Sequence, residues 1–160
     1  DQEMFVATRR NDRVSVTGAR PVLNGYQKGH CFYCFASISI SSKDPQVADV
    51  DHVFPHVLQR RKQLKHLDGV WNLVLACPTC NRGVGGKFDA LPIDAYVERL
   101  LQRNNFLIAS HNPLRETLIK QMGSSERDRA GFIRNTLDTA VAALGGGARW
   151  RTVTVGVNPF

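Results

Sequence analysis

Cys31-x-x-Cys34 and Cys77-x-x-Cys80 constrain this 160-residue chain more than any other feature. Two thiolates on one tight turn approach a single ion. Two such turns facing each other complete a tetrahedral four-sulfur site with no open position, the geometry of a structural zinc. The grouping favours this use over two disulfides of a secreted protein, over a redox pair and over free thiols. A usual four-cysteine finger leaves about 15 to 20 residues between its knuckles, whereas here residues 35 to 76 intervene. A larger unit is inserted between the two halves of the metal site, which must bring its ends together.

The length suits one domain with an ordinary hydrophobic core. With 42% hydrophobic and 22% charged residues, neither disorder nor a membrane class is indicated, and no run approaches the ~18 apolar residues of a membrane helix. The first residue is Asp1 rather than Met and no secretory signal follows it, so the expectation is an excised or processed piece of an intracellular, cytoplasmic protein. Lys and Arg number 21 against 14 Asp and Glu, a net charge of +7, which suits a polyanion such as nucleic acid.

The chain reads as three zones of a single domain. Residues 1 to 29 are polar and basic. Their one alternating run, Arg13 to Thr17, reads as a strand that pairs with a similar run, Arg151 to Val155, near the C-terminus. Residues 30 to 88 hold the cysteines and the short polar motifs. From residue 92 the pattern turns helical: Ile93, Tyr96, Val97, Leu100 and Leu101 recur on one helix face. A second helix starts at Asn112-Pro113 and stops at Gly123. A third opens on Ser125-x-x-Asp128 and carries a stripe of Phe132, Ile133, Thr136, Leu137, Ala140, Val141 and Leu144 before Gly145-Gly146-Gly147. These helices read as packing elements rather than a partner-binding groove.

Between the knuckles lies Ala48-Asp49-Val50-Asp51-His52-Val53-Phe54-Pro55, with a carboxylate and an imidazole adjacent on a strand edge. Strand neighbours point to opposite faces, so one water-activating site uses both only if the strand ends or bends there, as Pro55 allows. Val70-Trp71-Asn72-Leu73-Val74-Leu75-Ala76 then delivers the chain into the second knuckle, which is followed by Asn81, Arg82 and a glycine-rich turn to Lys87.

This order, Cys-x-x-Cys, Asp-His-x-x-Pro, Trp-Asn-Leu-x-x-x-Cys-x-x-Cys-Asn and a downstream Lys, resembles the HNH endonuclease family over residues 30 to 88. The resemblance implies an α+β fold: a zinc-braced ββα-metal core with a small antiparallel sheet, here followed by a C-terminal helical subdomain. It implies His52 as general base, a role suited to an imidazole at neutral pH. It implies Asp51 and Asn81 as ligands of a catalytic Mg²⁺ or Mn²⁺, distinct from the zinc on Cys31, Cys34, Cys77 and Cys80, and Asn72 as the residue orienting the loop of the base. The family's last position is commonly His; Asn81 departs from it, matches a His-Asn-Asn variant, and favours an oxygen-loving ion.

DNA is the expected partner. Arg82 and Lys87, beside the helix after the second knuckle, and the stretch Arg60-Arg61-Lys62 are the candidate phosphate contacts. His30, His56, His66 and His111 carry no assignment; His56 reads as a phosphate contact or as a solvated histidine at a helix start. One motif makes one nick, so a double-strand break needs a homodimer or two events. A restriction or phage-defence module fits such a site. Two other classes compete with it: a zinc ribbon that docks on nucleic acid without cutting, and a protein-interaction domain that uses the C-terminal helices.

Overall fold

In a computed structural model, residues 19–145 and 147–160 are described. The fold is mixed α+β. Its elements in order are α1 (Arg20–Gln27), β1 (Asp49–His52), α2 (Val57–Arg60), a 3-10 turn (Val70–Asn72), β2 (Leu73–Ala76), α3 (Pro78–Arg82), α4 (Asp94–Ala109), α5 (Arg115–Met122) and α6 (Glu126–Leu144).

Among the described residues the sheet is an antiparallel pair, β1 with β2, in the register Asp49↔Ala76, Val50↔Leu75, Asp51↔Val74 and His52↔Leu73. A two-stranded ribbon is marginal alone, and here it is enclosed. All four residues of β2 are buried, which explains why Leu73 to Ala76 lacks a polar face. The outer edge of β2 is closed by α1 and the first knuckle. The Gln27 amide donates to Leu75 O and accepts from Leu75 N, both at 2.8 Å, and Phe32 N donates to the same carbonyl at 2.9 Å. A side chain thus takes the place of a third strand. Helix α1 lies in the zone read only as polar and basic; its one buried apolar side chain, Leu23, is too little to register as a helical period.

Helices α4 to α6 pack on the same core as the sheet. Ser125 caps α6 as its pattern predicts, accepting from Asp128 N at 3.0 Å. Helix α5 begins two residues beyond Pro113, because Asn112 first closes a turn onto Leu114 N and Arg115 N. In the stripe on α6, Ile133, Thr136 and Ala140 are buried, while Val141 is exposed.

The expected C-terminal strand does not form. Its proposed partner, residues 13 to 17, lies outside the described residues, and 151 to 155 show no strand. Trp150 alone makes a bridge, to Pro92. Thr152 faces inward, and Val153 and Val155 are largely exposed, so the alternation puts the valines on the solvent side.

Arg103 of α4 anchors the approach to β2. It is fully buried and donates to Leu73 O at 2.8 Å, Val70 O at 3.0 Å and Trp71 O at 3.3 Å, while its Nε donates to Asn104 Oδ1. Burial pulls its pKa down to about 10. A guanidinium without a carboxylate is costly to desolvate, yet truncation strands several buried carbonyls at about 1–3 kcal/mol each. The second effect is larger. Arg103→Met is expected to lower stability by about 3 kcal/mol and the melting temperature by roughly 6–12 °C, read by thermal denaturation.

Candidate functional site

The four cysteines converge as their spacing requires. Their sulfurs are buried and lie within 4.8 Å of one another, and Cys34 Sγ and Cys77 Sγ are 3.7 Å apart. Two sulfurs at ~2.3 Å from one tetrahedral ion stand about 3.8 Å apart. Each knuckle turns its backbone N–H groups onto sulfur: Tyr33 N and Cys77 N onto Cys31, Ala36 N onto Cys34, and Cys80 N onto Cys77, at 3.3–3.5 Å. Such donors stabilise thiolate. A hydrogen bond from Cys31 lowers Cys34 to about 7, while Cys31 and Cys77 push the Cys80 thiol up. Four thiolates this close repel one another strongly unless a cation joins them. The cluster therefore has the donors, burial and spacing to hold a zinc ion, and these residues fit that metal.

Beyond the cluster, Asp51 and His52 are both buried at the end of β1, and the pleat sends them to different neighbours. Asp51, 2% exposed, accepts from Tyr33 Oη at 2.6 Å and lies 3.4 Å from Lys87 Nζ, both through Oδ2. Burial, then the Asp51 charge, holds the Tyr33 phenol protonated far above its ordinary range, so it is the donor. His52, 1% exposed, places Nε2 2.7 Å from Asp68 Oδ1, and His56 Nε2 lies 3.4 Å from the same oxygen. Burial alone would raise the Asp68 carboxyl, but the His52 hydrogen bond and the two imidazoles hold it below the usual carboxylate range.

Asn72 clasps the loop after His52. Asn72 Oδ1 accepts from Phe54 N at 2.8 Å, and Nδ2 donates to Phe54 O and Leu67 O, both at 3.0 Å. Fully buried, this amide satisfies the backbone of the residue two beyond His52 from both sides.

Asn81 follows the last cysteine on α3, where its Nδ2 donates to Asp49 Oδ2 at 2.9 Å, and Arg82 Nε donates to the same oxygen at 2.8 Å. The carboxylate it meets is thus Asp49, not Asp51. Asp51 and Asn81 offer the oxygen donors a hard cation prefers, but in this conformation Asp51 is engaged by Tyr33 and Lys87.

Lys87 corrects an expectation. Expected to meet phosphate, it is 1% exposed, and its ammonium donates to His52 O at 2.8 Å. The cause is the turn after α3. Gly86 N closes onto Gly83 O, and a Cβ on Gly86 would stand 2.8 Å from that carbonyl, so glycine lets the chain double back and drive Lys87 inward. Arg60, Arg61, Lys62 and Arg82 are exposed, with Arg60 also reaching His56 Nδ1 at 3.3 Å.

No pattern in the sequence gives Asp68, Gln59, Tyr33 or Asp49 a place in the site, and His56, which reads as a phosphate contact or a solvated residue, is 2% exposed. Asp68 belongs to no motif and lies 16 positions after His52. The only local signal was His56, four positions after His52 at the start of α2. No protein-family profile, curated protein or solved structure matches the chain.

Proposed function

We propose that this chain is a metal-dependent DNA endonuclease of the HNH kind that hydrolyses phosphodiester bonds with His52 as general base. One arrangement carries the reading: β1 pairs with β2, which leads directly into α3, with α2 and the 3-10 turn in the connection between the strands, His52 ending β1, Asn72 clasping the loop beyond it, and α3 starting at the second cysteine pair. In this reading the unit is a zinc-braced ββα-metal core, and α4 to α6 form a C-terminal helical subdomain supporting it.

His52 accepts a proton from the attacking water, which adds in line to phosphorus and expels the 3′ oxygen; that oxygen takes a proton from solvent, leaving 5′-phosphate and 3′-hydroxyl ends. The buried imidazole meets that water only when the overlying side chains shift. A divalent Mg²⁺ or Mn²⁺ held by Asp51 and Asn81 would supply charge stabilisation at the scissile phosphate. Arg82, Arg60, Arg61 and Lys62 are the exposed cations suited to DNA phosphates, and the net positive charge favours the encounter. A role as a restriction or phage-defence module, acting alone or as a homodimer inside the cell, is consistent with such a site.

The test is supercoiled plasmid incubated with the zinc-loaded chain, with and without Mg²⁺ or Mn²⁺. Nicking only with the added ion is the expected result; intact plasmid under all conditions sinks the nuclease reading in favour of a non-cutting zinc-ribbon module. Asp51 adds a finer prediction. Tyr33→Phe removes the phenol that engages its carboxylate, so half-maximal nicking is expected at a several-fold lower Mg²⁺ concentration, with stability reduced by about 1–2 kcal/mol. An unchanged Mg²⁺ requirement counts against Asp51 as a ligand.

A further inference from the structure

The grouping of His52, His56 and Asp68 invites a reading as a second metal site, since their ligand atoms lie within 4.8 Å of one another. The distances point elsewhere. Two ligands of one tetrahedral ion at ~2.0–2.1 Å stand roughly 3.3–3.4 Å apart, whereas His52 Nε2 and Asp68 Oδ1 are 2.7 Å apart, which is a charge-assisted hydrogen bond.

The donors and acceptors around Asp68 can be followed outward. Leu67 N donates to Gln59 Oε1 at 2.6 Å, which fixes the orientation of that amide, so Gln59 Nε2 is the donor to Asp68 Oδ2 at 3.1 Å. Arg60 can only donate, so His56 Nδ1 is its acceptor, and a neutral His56 carries its proton on Nε2, toward Asp68 Oδ1. Asp68 has no exposed surface, and as a carboxylate it only accepts. The hydrogen between His52 Nε2 and Asp68 therefore belongs to His52.

We propose that Asp68 is the positioning residue of the site: it holds the neutral His52 ring with its proton on Nε2, so that Nδ1 carries the lone pair that takes the proton from water. This rests on the nuclease reading for its catalytic part and on donor logic alone for the tautomer. Asp68 touches no reacting atom; it acts through His52, and Gln59 acts through Asp68.

The same logic predicts what Asp68→Asn does. Gln59, fixed by Leu67 N, still presents Nε2 as a donor, whereas His56 Nε2 at 3.4 Å makes no hydrogen bond to Asp68, so the new amide turns its oxygen toward Gln59 and its NH₂ toward His52. That NH₂ needs a lone pair on Nε2, which moves the ring proton to Nδ1 and leaves no lone pair there to take the proton from water. A carboxylate-to-amide change that imposes the wrong tautomer costs up to about 10⁴-fold in a known triad.

The experiment is two-bond ¹H–¹⁵N correlation NMR of the histidine rings in the zinc-loaded chain, wild type and Asp68→Asn, together with plasmid-nicking kinetics on both. The expected results are Nε2–H on His52 in the wild type, Nδ1–H in the variant, and a kcat lower by about 10³-fold with KM within twofold. A wild-type proton on Nδ1 overturns the assignment whether or not the variant folds. So does a variant that changes tautomer and cuts at the wild-type rate, or one that loses affinity with kcat intact. A wild type with Nε2–H that never cuts DNA overturns the nuclease reading and, with it, the catalytic role of Asp68, while the tautomer assignment stands.

Discussion

Cys77→Ser is expected to lose the bound zinc and the cooperative fold together. Structural zinc in small cysteine-rich units contributes roughly 10–16 kcal/mol of apparent binding energy at neutral pH, while domains are stable by only about 5–15 kcal/mol in total. Removing the metal therefore takes away a term as large as the whole stability. Cys77 is also the N-cap of α3 and accepts from Cys80 N. Its loss releases the start of the helix that carries Asn81 and the turn that buries Lys87. Inductively coupled plasma mass spectrometry and circular dichroism melting check this. One zinc per chain with an unchanged melting curve in Cys77→Ser would falsify the four-cysteine site.

His52→Ala is expected to reduce Mg²⁺-dependent nicking by about 10³-fold, the middle of the range that general bases contribute. The substitution also strips Asp68 of its shortest hydrogen bond and leaves a buried carboxylate supported by His56 and Gln59, so a stability loss of about 1–3 kcal/mol accompanies it. The two effects separate experimentally. Activity is read at a temperature well below the variant's melting point, with zinc content confirmed. A folded His52→Ala chain that nicks plasmid as fast as wild type removes His52 from the mechanism.

The cysteine cluster was legible in the sequence because metal ligation has a local signature: two ligands on each turn, repeated once. The helices α4 and α6 were legible for the same kind of reason, a period of 3.6 over many residues and, for α6, a capping Ser. Helix α1 and the failed strand at 151 to 155 were not. A short helix with one buried apolar side chain makes no period, and an alternating run says that a segment can pair without saying that a partner is there.

Sequence alone determined the four cysteines that could hold a zinc ion, the order of the motifs between them, and the candidates His52, Asp51, Asn72 and Asn81. Only the tertiary structure decided what each of these touches. Asp68 reaches His52 through a loop that no pattern describes, Gln27 closes a sheet edge from a helix, and Lys87 turns from a surface cation into an internal one because glycines reverse the chain before it. The physical reason is common to all three. A covalent spacing specifies contacts only within a turn or two, whereas a buried carboxylate, amide or ammonium must find its partner wherever packing supplies one, and the cost of leaving it unmet selects that partner across the fold.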